Sequence, residues 1–329
     1  MASELTHPSY KIVPYQPRNM DGPFPYTKAE LTPTDRSPDT AFYSQPRFVT
    51  HIDDNAIVSL KEYYDSELPQ ESDSQSVDAR RPVRILDICS SWVSHYPPRI
   101  VKAASAFYSP ASAASTYSPR TEEPPPSQTA APKSSPIQCY GTGLNASELA
   151  ANPALNPTAS GRARDGEAVA EKRWWVQDLN DESELSPPEQ LKTSLGRQPE
   201  ESPTSPTQYG LFDATTCVVS IDYLTNPTAV LRSILDLTVP NGTVHLAISN
   251  RCFPTKAVRR WLEISEQERL EMVGDYLWWS GWREIEIVEV VGQAQGSRWS
   301  LSSWNDPLWV VRARKVAEDA PRSTGTVTT

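Results

Sequence analysis

The order of apolar runs along this 329-residue chain predicts a doubly wound α/β fold: a mostly parallel sheet of seven strands, helices on both faces, and an antiparallel pair of strands at the C-terminal edge. Three features carry that expectation. Several runs, VRILDI and TVHLAIS among them, are short and rich in Val, Ile and Leu, as strands buried on both faces are. They alternate with segments of helical period, and parallel neighbours need such crossovers. The last two runs, WREIEIVEVV and DPLWVVRARK, follow one another with no helix between them.

Taken in order, FVTHIDDNAIVSLKEYYDSEL places Ile52, Ala56, Ile57, Leu60, Tyr63 and Tyr64 at helical spacing. Asp53 or Asp54 can cap a helix over about 54–66. RILDI is the first buried strand. IQCYGTGLNASELAANPAL reads as a short strand, a glycine turn and a helix opening near Ala146 or Ser147, with Glu148 in its first turn. WWVQDLN is a strand and a turn. FDATTCVVSIDYL is a buried strand, NPTAVLRSILDLTV a helix, PNG a turn and TVHLAIS another strand. KAVRRWLEISEQERLEMVGDYLWWSG is a helical stretch leading into the closing pair. Seven of the ten tryptophans lie between Trp261 and Trp309, which suits either an aromatic substrate cage or core packing; the spacing of Trp261, Trp278 and Trp282 favours the core.

Composition bounds the folded unit. Of 31 prolines, 24 fall within 1–50, 97–136 and 153–210, mixed with Ser, Thr and charges that follow no period. Such segments bury too little apolar surface to offset their ordering entropy. The expectation is a disordered arm over 1–45 and one domain over 46–315. Flexible insertions interrupt it at about 103–136, 156–172 and 183–209, and a disordered tail covers 316–329. A formal charge of −10 disfavours a nucleic-acid partner. Apolar runs of about 18 or more residues and a signal-peptide core are both missing from the sequence, so a soluble cytoplasmic or nuclear protein without a membrane partner is expected. Cys89, Cys139, Cys217 and Cys252 lie far apart with no CxxC pair, which signals neither disulfides nor a metal site.

The chemistry gathers at strand ends. In doubly wound sheets ligands bind outside the carboxyl ends of the strands, where strand order reverses. The first strand delivers Asp87, then Cys89, Ser90 and Ser91. The second delivers Tyr140-Gly141-Thr142-Gly143-Leu144-Asn145, the third Asp178, and the fourth Ser220, Asp222 and Tyr223. Four successive ends bringing polar groups to one edge suit a nucleoside-type ligand.

At these residues the chain resembles a class I S-adenosylmethionine-dependent methyltransferase of the type 11 sort, with its Rossmann-like sheet. RILDICSS, YGTGLNASEL, VQDLN and FDATTCVVSIDYLTNPTAVLRSILDLTVPNGTVHLAIS follow the family's successive motifs. More narrowly it is similar to uncharacterised fungal, plant and algal proteins carrying LD-x-CSSWVSH, DYLTNP and SNRCFPTKA. The resemblance implies S-adenosyl-L-methionine as cofactor and a small-molecule or protein methyl acceptor. It also implies that Asp87, Cys89 and the Ser90-Ser91 loop face the methionine moiety, that Asp178 and Leu179 lie beside the adenine, and that Ser220 lines the pocket under the sulfonium. Gly141, Gly143 and Asn145 complete the cofactor set.

Two departures from the family pattern stand out. The family loop is acidic-x-Gly-x-Gly-x-Gly, whereas Cys89, Ser91 and Val93 hold the glycine positions here, and no glycine stands between Pro23 and Tyr140. Gly143 takes the place of the acid that holds the ribose hydroxyls, a role open to Asn145 or Glu148. These departures support an alternative reading, a catalytically inactive methyltransferase-like interaction protein. Methyl transfer needs no metal, and where the acceptor is protonated it needs a base; His95 and Tyr223 are candidates, the former also suited to a structural bond in its loop. Asn250, Arg251, Phe253 and Lys256, leaving the fifth strand, are candidates for acceptor binding, with Arg251 and Lys256 suited to an anionic group or to plain solvation.

Overall fold

The computed structural model describes residues 10–70, 82–106, 137–156, 173–189, 210–291 and 306–316. Its strands are β1 (Lys11–Pro14), β2 (Val83–Ile88), β3 (Ile137–Gly143), β4 (Trp174–Val176), β5 (Phe212–Val218), β6 (Thr238–Ser249), β7 (Arg283–Val291) and β8 (Leu308–Arg314). They form one sheet in the order β1-β7-β8-β6-β5-β2-β3-β4. β2 through β6 pair in parallel, and β8, β7 and β1 add antiparallel. The chain runs outward from β2 to β3 and β4, then returns to β5 on the other side of β2. The point of reversal is therefore the crevice beyond the carboxyl ends of β2 and β5.

The helices are α1 (Asp39–Phe42), α2 (Asp54–Glu67), α3 (Pro98–Ala106), α4 (Ala146–Ala151), α5 (Pro227–Leu237), α6 (Arg259–Glu263) and α7 (Glu266–Trp279). Alternate strand residues serve opposite faces, as the pleat requires. Leu86 and Ile88 pack with Val230, Leu231 and Ile234 of α5 and with Met272, Val273 and Leu277 of α7. Val83 and Ile85 pack with Ala56, Leu60, Tyr63 and Tyr64 of α2 and with Ile100 and Ala104 of α3. Trp261 and Trp282 are buried in the first of these clusters and Trp278 packs against it half-buried, which is the core role their spacing suggested. No helix of the described residues is long and apolar enough to cross a membrane.

Local signals explain most elements. Asp53 caps α2 by accepting from the Ala56 amide at 2.8 Å, and Asn145 caps α4 through the Ser147 and Glu148 amides. The helical stretch expected from Lys256 onward holds two helices, α6 and α7. Ser265 opens the second with a capping box to Glu268, which fixes a new helix start. The Pro-Asn-Gly turn is absorbed into β6 as a bulge. Pairing with β5 steps from Phe212↔Thr238 to Ala214↔Thr243, with Asn241 at φ 63°.

Three expectations are corrected. Among the described residues the sheet has eight strands, because β1 extends the β7 edge through Ile12↔Val288 and a Lys11–Glu289 ion pair of 3.2 Å. Residues 10–45, expected as a disordered arm, wrap the domain. Tyr15 and Tyr26 each donate to Asp275 at 2.6 Å, Leu31 is buried, and Pro33 bridges Val258. Residues 183–189, expected to open an insertion, instead belong to the fold: Leu185 is buried, and the Gln177 amide donates to the carbonyls of Glu182 and Glu184. α3 likewise reaches Ala106. The remainder of the expected insertions, 107–136, 157–172 and 190–209, with residues 1–9 of the expected arm and the tail from 317, lies outside the described residues.

Candidate functional site

A cleft of about 560 Å³ opens at the reversal point, walled by the segments leaving β2, β3, β4, β5 and β6 and by residues 39–52. Asp87 stands at its floor, at the end of β2. It accepts from Ser90 Oγ at 2.6 Å and Thr216 Oγ1 at 3.1 Å. Burial pushes its carboxyl up to about 6, against the pull of the Ser90, Ser94 and Thr216 hydrogen bonds. Asp87 thus faces the cleft and also holds the loop that follows it.

That loop, residues 89–95, is shaped without glycine. Cys89 at φ 51° and His95 at φ 55° are both left-handed, a conformation that costs a non-glycine residue roughly 1–2 kcal/mol. Side chains supply the compensation. The Asn152 amide donates to Ser91 O and Ser94 Oγ, each at 2.9 Å, and Ser90 N donates to Thr142 O at 2.7 Å. Across the cleft Val219, after β5, is left-handed as well, at φ 43°. Three of the five left-handed non-glycine residues among the described residues thus stand in loops that face one cleft, a clustering that marks functional sites.

The expected glycine turn is corrected: Gly141 and Gly143 belong to β3 itself. Gly141 does not line the cleft. A Cβ there would stand 2.4 Å from Leu155, so its smallness serves packing of the segment after α4. Gly143 does line the cleft, and a Cβ there would meet the Ser90 carbonyl oxygen at 2.1 Å. Asn145 borders the cleft, but its amide is spent: the oxygen caps α4 and the nitrogen donates to Tyr43 O at 3.0 Å and Ser44 O at 3.3 Å. Glu148, one turn on, lines the cleft with a carboxylate that accepts from Arg47 N at 2.7 Å.

Asp178 and Leu179 follow β4 into the cleft; Asp178 accepts from Asn180 N at 3.0 Å, and burial raises its carboxyl. Ser220 lines the cleft beside Val219, its hydroxyl donating to Val218 O at 2.9 Å. Tyr223 accepts from Phe253 N at 2.8 Å, and burial holds its phenol well above the ordinary range. This bond ties the turn after β5 to the loop after β6. Cys89 and Cys252 border the cleft, while Cys139 and Cys217 are buried in the sheet.

The acceptor candidates divide. Asn250, Arg251 and Phe253 line the cleft. Arg251 pairs with Asp306 at 2.6 Å, so its charge is already matched. Lys256 is corrected: it lies outside the cleft, buried, with Nζ 3.0 Å from Asp39, 3.3 Å from Asp35 and 2.6 Å from Ser37 O. It anchors the N-terminal segment.

That segment holds the site residues that sequence reasoning missed. Asp39, Tyr43, Arg47, Thr50, His51 and Ile52 all line the cleft. The Arg47 guanidinium stacks over Phe42 at 4.6 Å and Phe253 at 5.1 Å. Asn180, next to the expected Asp178, was missed too. It donates to Asp39 at 2.8 Å and to Tyr223 O at 2.9 Å, and accepts from Thr225 N at 2.8 Å. Its place two residues after a strand-end aspartate was the available signal; residues 39–52 carried none beyond their aromatic content.

No family model matches the chain, and no curated protein matches it. Solved structures with similar folds include the CurJ carbon methyltransferase (14% identity, TM-score 0.35), of which the chain spans 54% with 80% of its own length. The DszA carbon methyltransferase is similar at 13% identity and TM-score 0.40, over 85% of this chain and 58% of that one. A Haemonchus contortus phosphoethanolamine N-methyltransferase 2 with phosphomonomethylethanolamine and S-adenosylhomocysteine is similar at 12% identity and TM-score 0.40, over 90% of this chain and 62% of that one. The chain spans less than two thirds of each of these three.

Proposed function

We propose that the chain is an S-adenosylmethionine-dependent methyltransferase acting on a small-molecule or protein acceptor. One observation carries the reading: Asp87, Cys89, Ser90, Ser91, Asp178, Leu179 and Ser220, drawn from three separate strand ends, all line one cleft at the reversal point of the sheet. The cleft volume suits a nucleoside ligand. Bound S-adenosylmethionine supplies the electrophilic methyl group; the protein supplies orientation and exclusion of water.

The residues present fit this ligand with one exchange of roles. An acid at 143 has no room beneath the Ser90 carbonyl, and Glu148 presents the carboxylate one turn along α4. We assign Glu148 the ribose hydroxyls, Asp178 and Leu179 the adenine end, and Asp87 with Ser90 and Ser91 the methionine end. Tyr43, Phe253 and Asn250 then border the acceptor. The related structures that carry methyltransferase names act on varied substrates and do not narrow the acceptor.

Calorimetry with S-adenosylmethionine and S-adenosylhomocysteine on the purified chain tests the reading. Saturable binding of both is expected. Absence of heat at millimolar ligand overturns it and favours the catalytically inactive alternative.

A further inference from the structure

Two imidazoles face the cleft: His51, from the segment before α2, and His95, at the end of the loop after β2. Neither makes a hydrogen bond to the described residues. The His51 ring stands edge-on to Phe253 with centroids 5.7 Å apart, and Phe253 is flanked by Tyr43 and Tyr223. These side chains come from the N-terminal segment and from the turns after β5 and β6. They are distinct from the residues that the proposed function gives to the cofactor.

Transfer of a methyl group to an O–H or N–H leaves a proton to be taken, so the groups at this end of the cleft can be compared as acceptors of it. Tyr43 and Tyr223 are held protonated by burial, and the Tyr223 oxygen already accepts from Phe253 N. Asp39 is engaged by Lys256 and Asn180. Arg47 and Arg251 are cations with no lone pair to offer. Burial raises the Cys252 thiol. His95 is pushed down to about 4 by burial, Lys61 and His51, which leaves it a poor base near neutrality. His51 is lowered by burial and by Arg47, with Glu148 opposing, so it is unprotonated near neutrality. Its ring nitrogens remain uncommitted among the described residues.

We infer that His51 is the general base of the transfer, taking the proton from an acceptor hydroxyl or amine seated against Phe253. The inference rests on the reading above. In the step, the acceptor's lone pair forms the bond to the methyl carbon as the carbon–sulfur bond breaks. That electron pair returns to sulfur as a neutral thioether, and the acceptor's proton passes to the His51 ring nitrogen. The acceptor class is accordingly one whose attacking atom bears a proton, and thioethers and tertiary amines fall outside it.

Histidine NMR on the full chain tests this, with the His51 resonance identified by its loss in His51→Gln. The imidazole is titrated in the S-adenosylhomocysteine complex and in the S-adenosylmethionine complex. Close to the transferred methyl, the sulfonium charge should lower the proton affinity of His51 roughly threefold or more relative to the neutral thioether. Equal titration in two formed complexes overturns the assignment of His51 and leaves the proposed function standing. Failure of both ligands to bind overturns the proposed function, and this inference with it.

Discussion

The α-carbon of Gly143, the last residue of β3, lies directly under the main-chain carbonyl of Ser90, so that a Cβ at 143 would sit 2.1 Å from that oxygen. The contact joins the end of β3 to the loop that follows β2. It explains why this position is glycine, and under the proposed function it leaves the ribose carboxylate to Glu148.

Gly143→Asp therefore does not restore a lost acid. It drives the loop off β3, and a loss of about 2 kcal/mol is expected from overpacking against backbone. Thermal denaturation should register a Tm several degrees lower, with S-adenosylhomocysteine affinity reduced as well. Unchanged stability would show that the Ser90 loop yields freely.

Glu148→Gln keeps the shape and removes the charge. A hydrogen bond to a charged group contributes about 1.5–3 kcal/mol, so S-adenosylhomocysteine affinity should fall roughly tenfold or more in calorimetry. Equal affinity would remove Glu148 from the ribose.

At Cys89 the usual order of alanine and glycine should invert. In ordinary backbone, glycine is the less stable of the two by roughly 0.5–1 kcal/mol. With φ at 51°, Cys89→Gly is expected to exceed Cys89→Ala in stability by about 1 kcal/mol, measured by urea denaturation. Comparing these two variants cancels the loss of the sulfur.

Lys256→Met tests the anchor of the N-terminal wall. It removes charge-assisted bonds to Asp39 and the Ser37 carbonyl. Hydrogen exchange over residues 35–48 should quicken, with the opening free energy lower by about 2 kcal/mol, while the sheet strands keep their protection.

A buried carboxyl shapes the pH dependence of stability. Burial pushes Asp222 up to about 8, and its Oδ2 has no hydrogen-bond partner among the described residues. Unfolded, the same group titrates near 4, roughly. Between these values the unfolded chain gives up a proton that the folded chain keeps. Its contribution is thus complete below about pH 4 and is lost as pH rises through about 8. Asp87 acts in the same sense up to about pH 6. Asp222→Asn should gain roughly 4 kcal/mol over wild type between about pH 4.5 and 7.5 in denaturant titrations.

The strands β2 to β8 were legible because each is a local run whose residues share an environment, and Asp53 was legible as a cap because its partner lies three residues away. Ser265 carried the same kind of signal; the unbroken helical period of its neighbours hid it. Asp87, Asp178, Leu179 and Ser220 could be placed at one edge because every parallel strand delivers its carboxyl end to the same side.

By itself, then, the sequence determined the parallel core, its two apolar faces and the edge at which a ligand would sit, all consequences of short-range period and of the chirality of strand crossovers. Only the tertiary structure decided what closes that edge. Residues 10–52 follow no period, and they are ordered by single contacts across some 220–260 residues of sequence, Lys256 to Ser37, Tyr15 and Tyr26 to Asp275, Asp53 to Asp306. The ordering entropy of such a segment is offset by partners that exist only once the sheet has formed. Composition therefore marked its first part, up to residue 45, as an arm, where the folded chain uses the whole segment as the wall that brings His51, Tyr43 and Arg47 to the cleft.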